Sequence, residues 1–169
     1  MNVVLKQEKE VVHAVAGDLI AAHRRGAGLL DRLVRIPAPE VADIAVVGAS
    51  YPTSTSLYQS MNAVIHCTKL KTPIAREEGR VILISLFDEV VSGTNFFKLV
   101  SQSTSPEHVL KTFSQRDVFV HDQWMAQLWV ASLLHANVMI VSNGLDESVV
   151  KGMLAIKASS PREGLEKSI

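Results

Sequence analysis

The segment Asp43-Ile44-Ala45-Val46-Val47-Gly48-Ala49-Ser50 decides the fold, because a continuous apolar run within it ends in small residues. A strand with one face in water alternates apolar and polar residues, whereas an unbroken run is typical of strands buried on both faces in parallel sheets. We therefore predict a buried strand over Ile44–Val47. The runs Val81–Leu86 and Val138–Val141 have the same character and are predicted to be further strands of that sheet.

Segments with helical periodicity separate these runs. The predicted helices are Thr53–Leu70, a stretch through Phe96 and Val100, Pro106–Phe113 capped by Ser105, Gln123–Leu134, Glu147–Lys151, and a last one starting at Ser160. A weaker run at Val118–Val120 is predicted to be a short strand. Strands that alternate with helices predict an α/β fold class: a layered, mostly parallel, Rossmann-like sheet with helices on both faces.

The N-terminal residues have a different pattern. Asn2–Leu5 and Val11–Val15 are β-branched runs separated by a charged stretch, which predicts a β-hairpin. A helix follows, with Asp18 as its expected N-cap, and Ile36–Pro39 is a stiff linker. We expect one structural unit, in which residues 1–39 form a hairpin-and-helix appendage and residues 40–169 form the α/β core.

Composition excludes several classes of protein. The sequence balances 17 Lys and Arg against 17 Asp and Glu, which argues against a nucleic-acid partner. A single cysteine, Cys67, rules out an internal disulfide and favours a reducing cytoplasm. No apolar run reaches the roughly 18–20 residues of a membrane span, so we expect a cytoplasmic protein without a membrane partner.

Candidate chemistry lies in the loops that follow the predicted strands, because open α/β sheets bind ligands at the carboxyl ends of their strands. Residues 48–56 are rich in hydroxyls but contain neither a Walker lysine nor a glycine-rich nucleotide motif, so the alternative is a simple helix entry. Asp88-Glu89 could bind a metal or act as a base; the alternative is that these carboxylates cap a helix or face solvent. His121–Trp124 combines four functional groups, or else is a helix start capped by Asp122 with Trp124 in the core. The histidines lack the spacing of a zinc site, so no metal site is predicted.

Short motifs in a fixed order carry a resemblance to a known family. They are Ala16-Gly17-Asp18, Ala42–Val47, Tyr51-Pro52, Leu57–Ala63, Glu78–Leu83, Ser92-Gly93 and Asp122–Gln127. Together they resemble the C-terminal domain of the nickel-pincer-nucleotide-dependent lactate racemases. The resemblance implies a reaction in the cleft between two domains. It also implies that an N-terminal domain, whose motifs cannot be placed on this sequence, holds the nickel-pincer nucleotide and the proton-transferring histidines.

The resemblance also implies a substrate-binding set of Tyr58, Gln59, Asn62 and Trp124, with no catalytic residue in this chain. Tyr58 and Gln59 match the pair that contacts the substrate, and Trp124 matches a tryptophan that faces both cofactor and substrate. Asn62 stands where the lactate enzymes carry a lysine that pairs with the substrate carboxylate. That exchange removes a charge-assisted contact of about 1.5–3 kcal/mol. Another cation, a substrate other than lactate, or lost catalysis would each account for it.

The function implied is that of a substrate-positioning domain in a 2-hydroxyacid racemase or epimerase, an isomerase acting by hydride transfer to the nickel cofactor. The expected partners are the N-terminal domain and a small 2-hydroxy acid, and the isolated chain is expected to be inactive. Two alternatives stay open. One is a stand-alone module that binds small carboxylates, and the other is a structural domain that forms a homo-oligomer through its cleft face.

Overall fold

The computed structural model describes residues 1–38, 40–87, 94–115 and 119–168, and its contacts divide the chain into two compact units, Met1–Pro39 and Glu40–Ile169. In the first unit, strands β1 (Asn2–Leu5) and β2 (Val11–Val15) pair antiparallel, and helix α1 (Leu19–Val34) follows. The Asp18 carboxylate accepts a hydrogen bond from the Ala21 amide at 2.9 Å, as an N-cap does. The predicted hairpin, helix and cap are confirmed.

The second unit contains the parallel sheet. Its elements are β3 (Ala42–Gly48), a 3₁₀ turn (Thr53–Thr55), α2 (Leu57–Thr68), β4 (Ala75–Ile84), α3 (Asn95–Ser101), α4 (Pro106–Phe113), α5 (Gln123–His135), β5 (Asn137–Val141), α6 (Glu147–Gly152), β6 (Ile156–Ala158) and α7 (Pro161–Glu166). Within the described residues the sheet has four strands in the order β3-β4-β5-β6, and every neighbouring pair is parallel. This confirms the predicted α/β class.

Alternate residues of the central strands face two different apolar layers, as the strand period of two requires. Val81 and Leu83 belong to the larger core, and helices α2 and α5 pack on β4. Ile82 and Met139 belong to a smaller core on the opposite face, where α7 contacts the sheet. A Cβ at Gly164 of α7 would lie 3.2 Å from Ile82 Cγ2, so the glycine allows this helix to approach closely.

The predicted burial of the first core strand on both faces is wrong. Strand β3 lies at the edge of the sheet, and the side chain of Val46 is 51% exposed. The apolar run Ile44–Val47 identified a strand of a parallel sheet, but strand order decides which strands are central. Strand β6, which was not predicted, pairs with β5 and makes β5 an interior strand in place of an edge.

The predicted helix Thr53–Leu70 is interrupted at Ser56, whose backbone is extended, so that α2 begins only at Leu57. The interruption has a tertiary cause, because the Ser54 carbonyl accepts hydrogen bonds from Ser85 Oγ and the Phe87 amide, both at 2.9 Å. A carbonyl that accepts these two bonds points away from the direction needed for the hydrogen bonds of a regular helix. Of the predicted strand Val118–Val120, residue 118 lies outside the described residues, and residues 119 and 120 are not in a strand.

Two further helix starts agree with prediction. Ser105 Oγ accepts from the His108 amide at 3.3 Å, and Ser160 Oγ accepts from the Glu163 amide at 3.1 Å. Both hydroxyls supply the partner that the first amides of a helix lack within the helix itself. Among the described residues, none of the helices combines the length and the apolar character needed to cross a membrane.

Candidate functional site

The loop between β3 and α2 separates two cavities at the carboxyl end of the sheet. One has a volume of about 700 Å³ and is lined by Ala49, Tyr51, Ser54, Ile84, Ser85, Leu86, Val141, Ser142, Asn143, Gly144, Ser159, Ser160 and Pro161. The other has a volume of about 760 Å³ and is lined by Pro52, Thr53, Thr55, Ser56, Tyr58, Gln59, Thr94 and Asp122. We call the second the Tyr58 cavity. It contains two residues of the predicted substrate-binding set.

A buried network of serine hydroxyls holds the loop in place. Ser60 Oγ on α2 donates to the Thr53 carbonyl at 2.8 Å and lies 2.9 Å from Ser85 Oγ at the end of β4. Ser85 in turn donates to the Ser54 carbonyl, so that helix, strand and loop are joined through two side chains. Buried hydroxyls paired in this way restrict the conformations open to the loop. The loop that lines the Tyr58 cavity is therefore fixed to α2 and to the end of β4 by buried hydrogen bonds.

Tyr58 lies in the first turn of α2 and is half-buried. Its hydroxyl donates to Asp122 Oδ1 over 3.4 Å. Its ring meets Phe96 edge to face with centroids 6.0 Å apart, and Trp124 in the same manner at 6.3 Å. Such pairs stabilise by about 0.5–1.5 kcal/mol beyond the area they bury. Contacts from α3 and α5 thus fix the direction in which the phenol faces the cavity.

Gln59 and Asn62 differ in what they face. Gln59 is exposed and lines the Tyr58 cavity, whereas Asn62 is not among its described lining residues. The Asn62 side-chain amide donates to the Gln59 carbonyl at 3.1 Å, one turn earlier on α2. Position 62 therefore makes a hydrogen bond within its own helix.

Trp124 lies beside the cavity, in a groove of about 300 Å³ that also includes Phe119, His121 and Asp122. Its side chain is 55% exposed, so the alternative that placed Trp124 in the core is wrong. The buried tryptophan is Trp129, which is 0% exposed. The sequence pattern placed both tryptophans on α5 but did not separate the surface one from the core one.

Asp122 precedes α5 in a left-handed backbone conformation, with φ of 67°. Asp122 is at the N-cap position, but its side chain makes no hydrogen bond to the first turn of that helix, so the alternative that assigned it a capping role is wrong. The carboxylate instead lies 3.4 Å from both the Tyr58 hydroxyl and His121 Nε2. The sequence grouped Asp122 with its neighbours but gave no indication of its contact with Tyr58, because a partner 64 residues away has no local signal.

No group of three His, Cys, Asp or Glu side chains converges in a way that could hold a metal ion within the parts of the chain that the structure describes. The described residues therefore do not fit the role of nickel ligands. Asp88 and Glu89, proposed above as metal ligands or as a base, lie outside the described residues.

Burial raises the pKa of Tyr58 above its ordinary value of 10.0, and the Asp122 carboxylate raises it further by its charge and by accepting the phenol's hydrogen bond.

The ultraviolet absorbance of the Tyr58 phenolate can be identified because it is missing from the Tyr58→Phe variant. We expect this absorbance to appear with a midpoint above pH 10. Asp122→Asn should lower the midpoint while leaving it above 10, since burial is the larger cause. The folded state holds this proton more tightly, so the group's stabilising contribution is complete below pH 10 and is lost as pH rises through the folded pKa. Ultraviolet titration checks this, and a midpoint at or below 10 would contradict it.

Comparison with known proteins places this chain in a family. The family model described as the lactate racemase C-terminal domain matches residues 38–169. The lactate racemase of Lactiplantibacillus plantarum is 27% identical over 99% of the chain and 39% of its own length. That of Thermoanaerobacterium thermosaccharolyticum is 24% identical over 98% of the chain and 38% of its own length.

A solved structure agrees in fold. The lactate racemase apoprotein from Thermoanaerobacterium thermosaccharolyticum superimposes with a TM-score of 0.83 at 24% identity, covering 99% of this chain and 40% of that one. The chain thus spans about two-fifths of the length of the relatives it matches. The family model covers residues 38–169, which is most of the sequence, and the chain accordingly belongs to the lactate racemase C-terminal domain family.

Proposed function

We propose that this chain is the substrate-positioning domain of a lactate-racemase-like 2-hydroxyacid racemase or epimerase. The observation that carries the proposal is the family match together with the Tyr58 cavity, which brings Tyr58 and Gln59 to the carboxyl end of a parallel sheet. The side-chain amide of Gln59 can donate to a carboxylate and accept from a 2-hydroxyl, and the Tyr58 hydroxyl, which donates its proton to Asp122, can accept. These groups would orient a hydroxy acid.

An N-terminal domain would complete the site. The relatives extend well beyond the matched region, and the described residues of this chain include no set of nickel ligands. In this proposal the nickel-pincer nucleotide belongs to that N-terminal domain, and Trp124 contributes only a flat contact surface and one N–H. Cofactor and substrate would meet in the cytoplasm, in the cleft between the domains.

The surface around the cavity supports a partner in this position. Tyr51, which lines the neighbouring cavity of about 700 Å³, is 82% exposed, and Phe119, which lines the Trp124 groove, is 90% exposed. Large aromatic side chains exposed near a cleft are typical of surfaces that another protein covers. A closing domain would bury them and exclude water from the substrate.

A chimera tests the proposal. The matching segment of the Lactiplantibacillus plantarum lactate racemase is replaced by this chain, the cofactor is loaded, and a panel of 2-hydroxy acids is assayed for inversion at the carbinol carbon. We expect turnover of at least one acid, and none from the 169-residue chain alone. A chimera that binds cofactor but inverts no acid in the panel would refute the enzymatic proposal. If the chain alone then gave a thermal shift with a carboxylate, the binding-module alternative would replace it.

A further inference from the structure

The cavity of about 700 Å³ on the other side of the β3–α2 loop lies outside the proposed substrate site, and we call it the Tyr51 cavity. Its lining comes from residues at the carboxyl ends of β3, β4, β5 and β6, the edge at which open α/β sheets bind ligands. Its volume is in the range of small-molecule sites. The Tyr51 cavity is therefore a candidate for a second ligand site.

The lining of the Tyr51 cavity favours an uncharged ligand. Its described residues include no Lys, Arg, Asp or Glu. Glu163 lies beside the cavity and accepts a hydrogen bond from the Ser159 amide at 2.6 Å, but its charge is balanced by Lys167 Nζ at 2.5 Å. An ionised group that entered the cavity would lose its water without gaining an opposite charge.

The apolar part of the lining suits a flat ring. Ile84 and Val141 are paired across β4 and β5, and Tyr51 presents a phenol ring that is 82% exposed. Heteroaromatic rings stack on such side chains. Because an aromatic ring has two faces, a ligand stacked on one face of Tyr51 leaves the other face for a covering domain.

Two polar side chains of the lining have no hydrogen-bond partner among the described residues. They are Asn143, in the loop after β5, and Ser54, whose hydroxyl is buried. An Asn side chain offers a donor and an acceptor side by side, and this pair matches the amino group and the neighbouring ring nitrogen of adenine. A buried hydroxyl without a partner is destabilising, and a polar ligand atom would remove that cost.

Hydrogen bonds within the loops hold these two residues in place. Asn143 lies between Ser142 and Gly144. Ser142 Oγ donates to the Leu86 carbonyl and accepts from the Gly144 amide, both at 2.9 Å. The Ser54 carbonyl is bound from the end of β4, as described above. A site that is already ordered loses less conformational entropy when a ligand binds.

We propose that the Tyr51 cavity binds an adenine-type base, with its ring stacked on Tyr51 and its amino edge hydrogen-bonded to the side-chain amide of Asn143. Ser54 would supply a hydrogen bond to a further ring nitrogen. The proposal goes beyond the proposed function and does not rest on it, because the site lies on the other side of the β3–α2 loop and the ligand is not a hydroxy acid.

The experiment compares three planar compounds: adenine, purine, which lacks the exocyclic amino group, and benzoate, which is an anion. Each is titrated into the isotope-labelled 169-residue chain, and backbone, Asn side-chain and indole signals are followed by NMR. We expect the Kd of adenine to be about tenfold or more below that of purine, as a bidentate contact to Asn143 predicts, and benzoate to bind most weakly. The Asn143 side-chain signals should shift, and the Trp124 indole signal should not.

Variants assign the contacts. Asn143→Leu keeps the size of the side chain but removes the amide, so adenine should bind no better than purine. Tyr51→Ala should weaken the binding of both by about tenfold, whereas Tyr51→Phe keeps the ring and should bind like the parent. The matched control is Asn137→Leu, because Asn137 is an exposed residue at the other end of β5 and lies outside the described lining. It should keep the preference for adenine.

Ser54→Ala gives a second readout. Its hydroxyl has no partner to lose among the described residues, so the unfolding midpoint should not fall, yet adenine should bind several-fold more weakly.

Equal affinities for adenine and purine, a preference that survives Asn143→Leu, or shifts confined to the Tyr58 cavity and Trp124 would overturn the inference. The outcome is independent of the chimera experiment, because a chimera without turnover leaves adenine binding by this chain unaffected, and a chain that ignores adenine leaves the proposed catalysis unaffected.

Discussion

Replacing Trp129 with alanine is expected to lower the free energy of unfolding by about 3–5 kcal/mol, the range for a buried Phe or Trp truncated to Ala. The side chain is 0% exposed, and its indole N–H donates to the Met153 carbonyl at 2.9 Å. The substitution opens a cavity in the main core and leaves that carbonyl without its partner. Because a domain of this size is typically stable by about 5–15 kcal/mol, urea denaturation should show a large drop in midpoint.

Trp124 provides the matched control, since the sequence has two tryptophans and both lie on α5. Trp124 is 55% exposed and makes one edge-to-face contact with Tyr58, so Trp124→Ala should lower the unfolding free energy by about 1 kcal/mol. Trp129→Phe, which keeps most of the packing but removes the hydrogen bond, should fall between the two. A larger loss from Trp124→Ala than from Trp129→Ala would mean that the assignment of core and surface is wrong.

Replacing Gln59 with alanine in the two-domain chimera is expected to lower kcat/KM by about 10- to 100-fold, as the loss of a hydrogen bond to a charged or reacting group predicts. Gln59 lines the Tyr58 cavity and is exposed there, so its truncation leaves the core unchanged. Initial rates across a substrate series would separate an effect on KM from one on kcat. The protein's unfolding midpoint should stay the same.

Gln102→Ala is the control for that experiment, because Gln102 is an exposed residue at the end of α3 and is not among the described lining residues of the cavities. It should leave kcat/KM unchanged. A Gln59→Ala chimera as active as the parent would show that Gln59 does not contact the substrate in the closed cleft. In that case the proposed site would have to rest on Tyr58 and Asp122.

Asn62 makes a local contact on α2 and lies outside the described lining of the Tyr58 cavity. The resemblance implies a departure at position 62, and in the structure the Asn62 side-chain amide donates to the Gln59 carbonyl within α2. The described lining of the Tyr58 cavity contains no lysine or arginine and includes the Asp122 carboxylate. The choice of substrate in the proposed site therefore depends on residues that the fold brings together, such as Asp122, as much as on the residue at position 62.

Much of the fold could be predicted because its signals are local. Unbroken apolar runs marked β3, β4 and β5, while Asp18, Ser105 and Ser160 marked helix starts through side chains that reach only three residues along the chain. Strand β6 was missed because it is three residues long and contains Lys157. The early part of β4 was missed because its charged residues interrupt the apolar pattern. Gly79 lies in this part of the strand, and a Cβ there would lie 2.8 Å from the Arg76 carbonyl oxygen.

The sequence by itself determined the α/β class, the hairpin and helix before it, and the strand-end loops that line the two cavities, because periodicity and capping act over a few residues. Only the tertiary structure decided that β3 is an edge strand, that Trp129 rather than Trp124 is buried, and that Asp122 lies beside Tyr58. Strand order, burial and side-chain pairing join residues far apart in the chain. They depend on how all the elements pack together, and no local pattern records that packing.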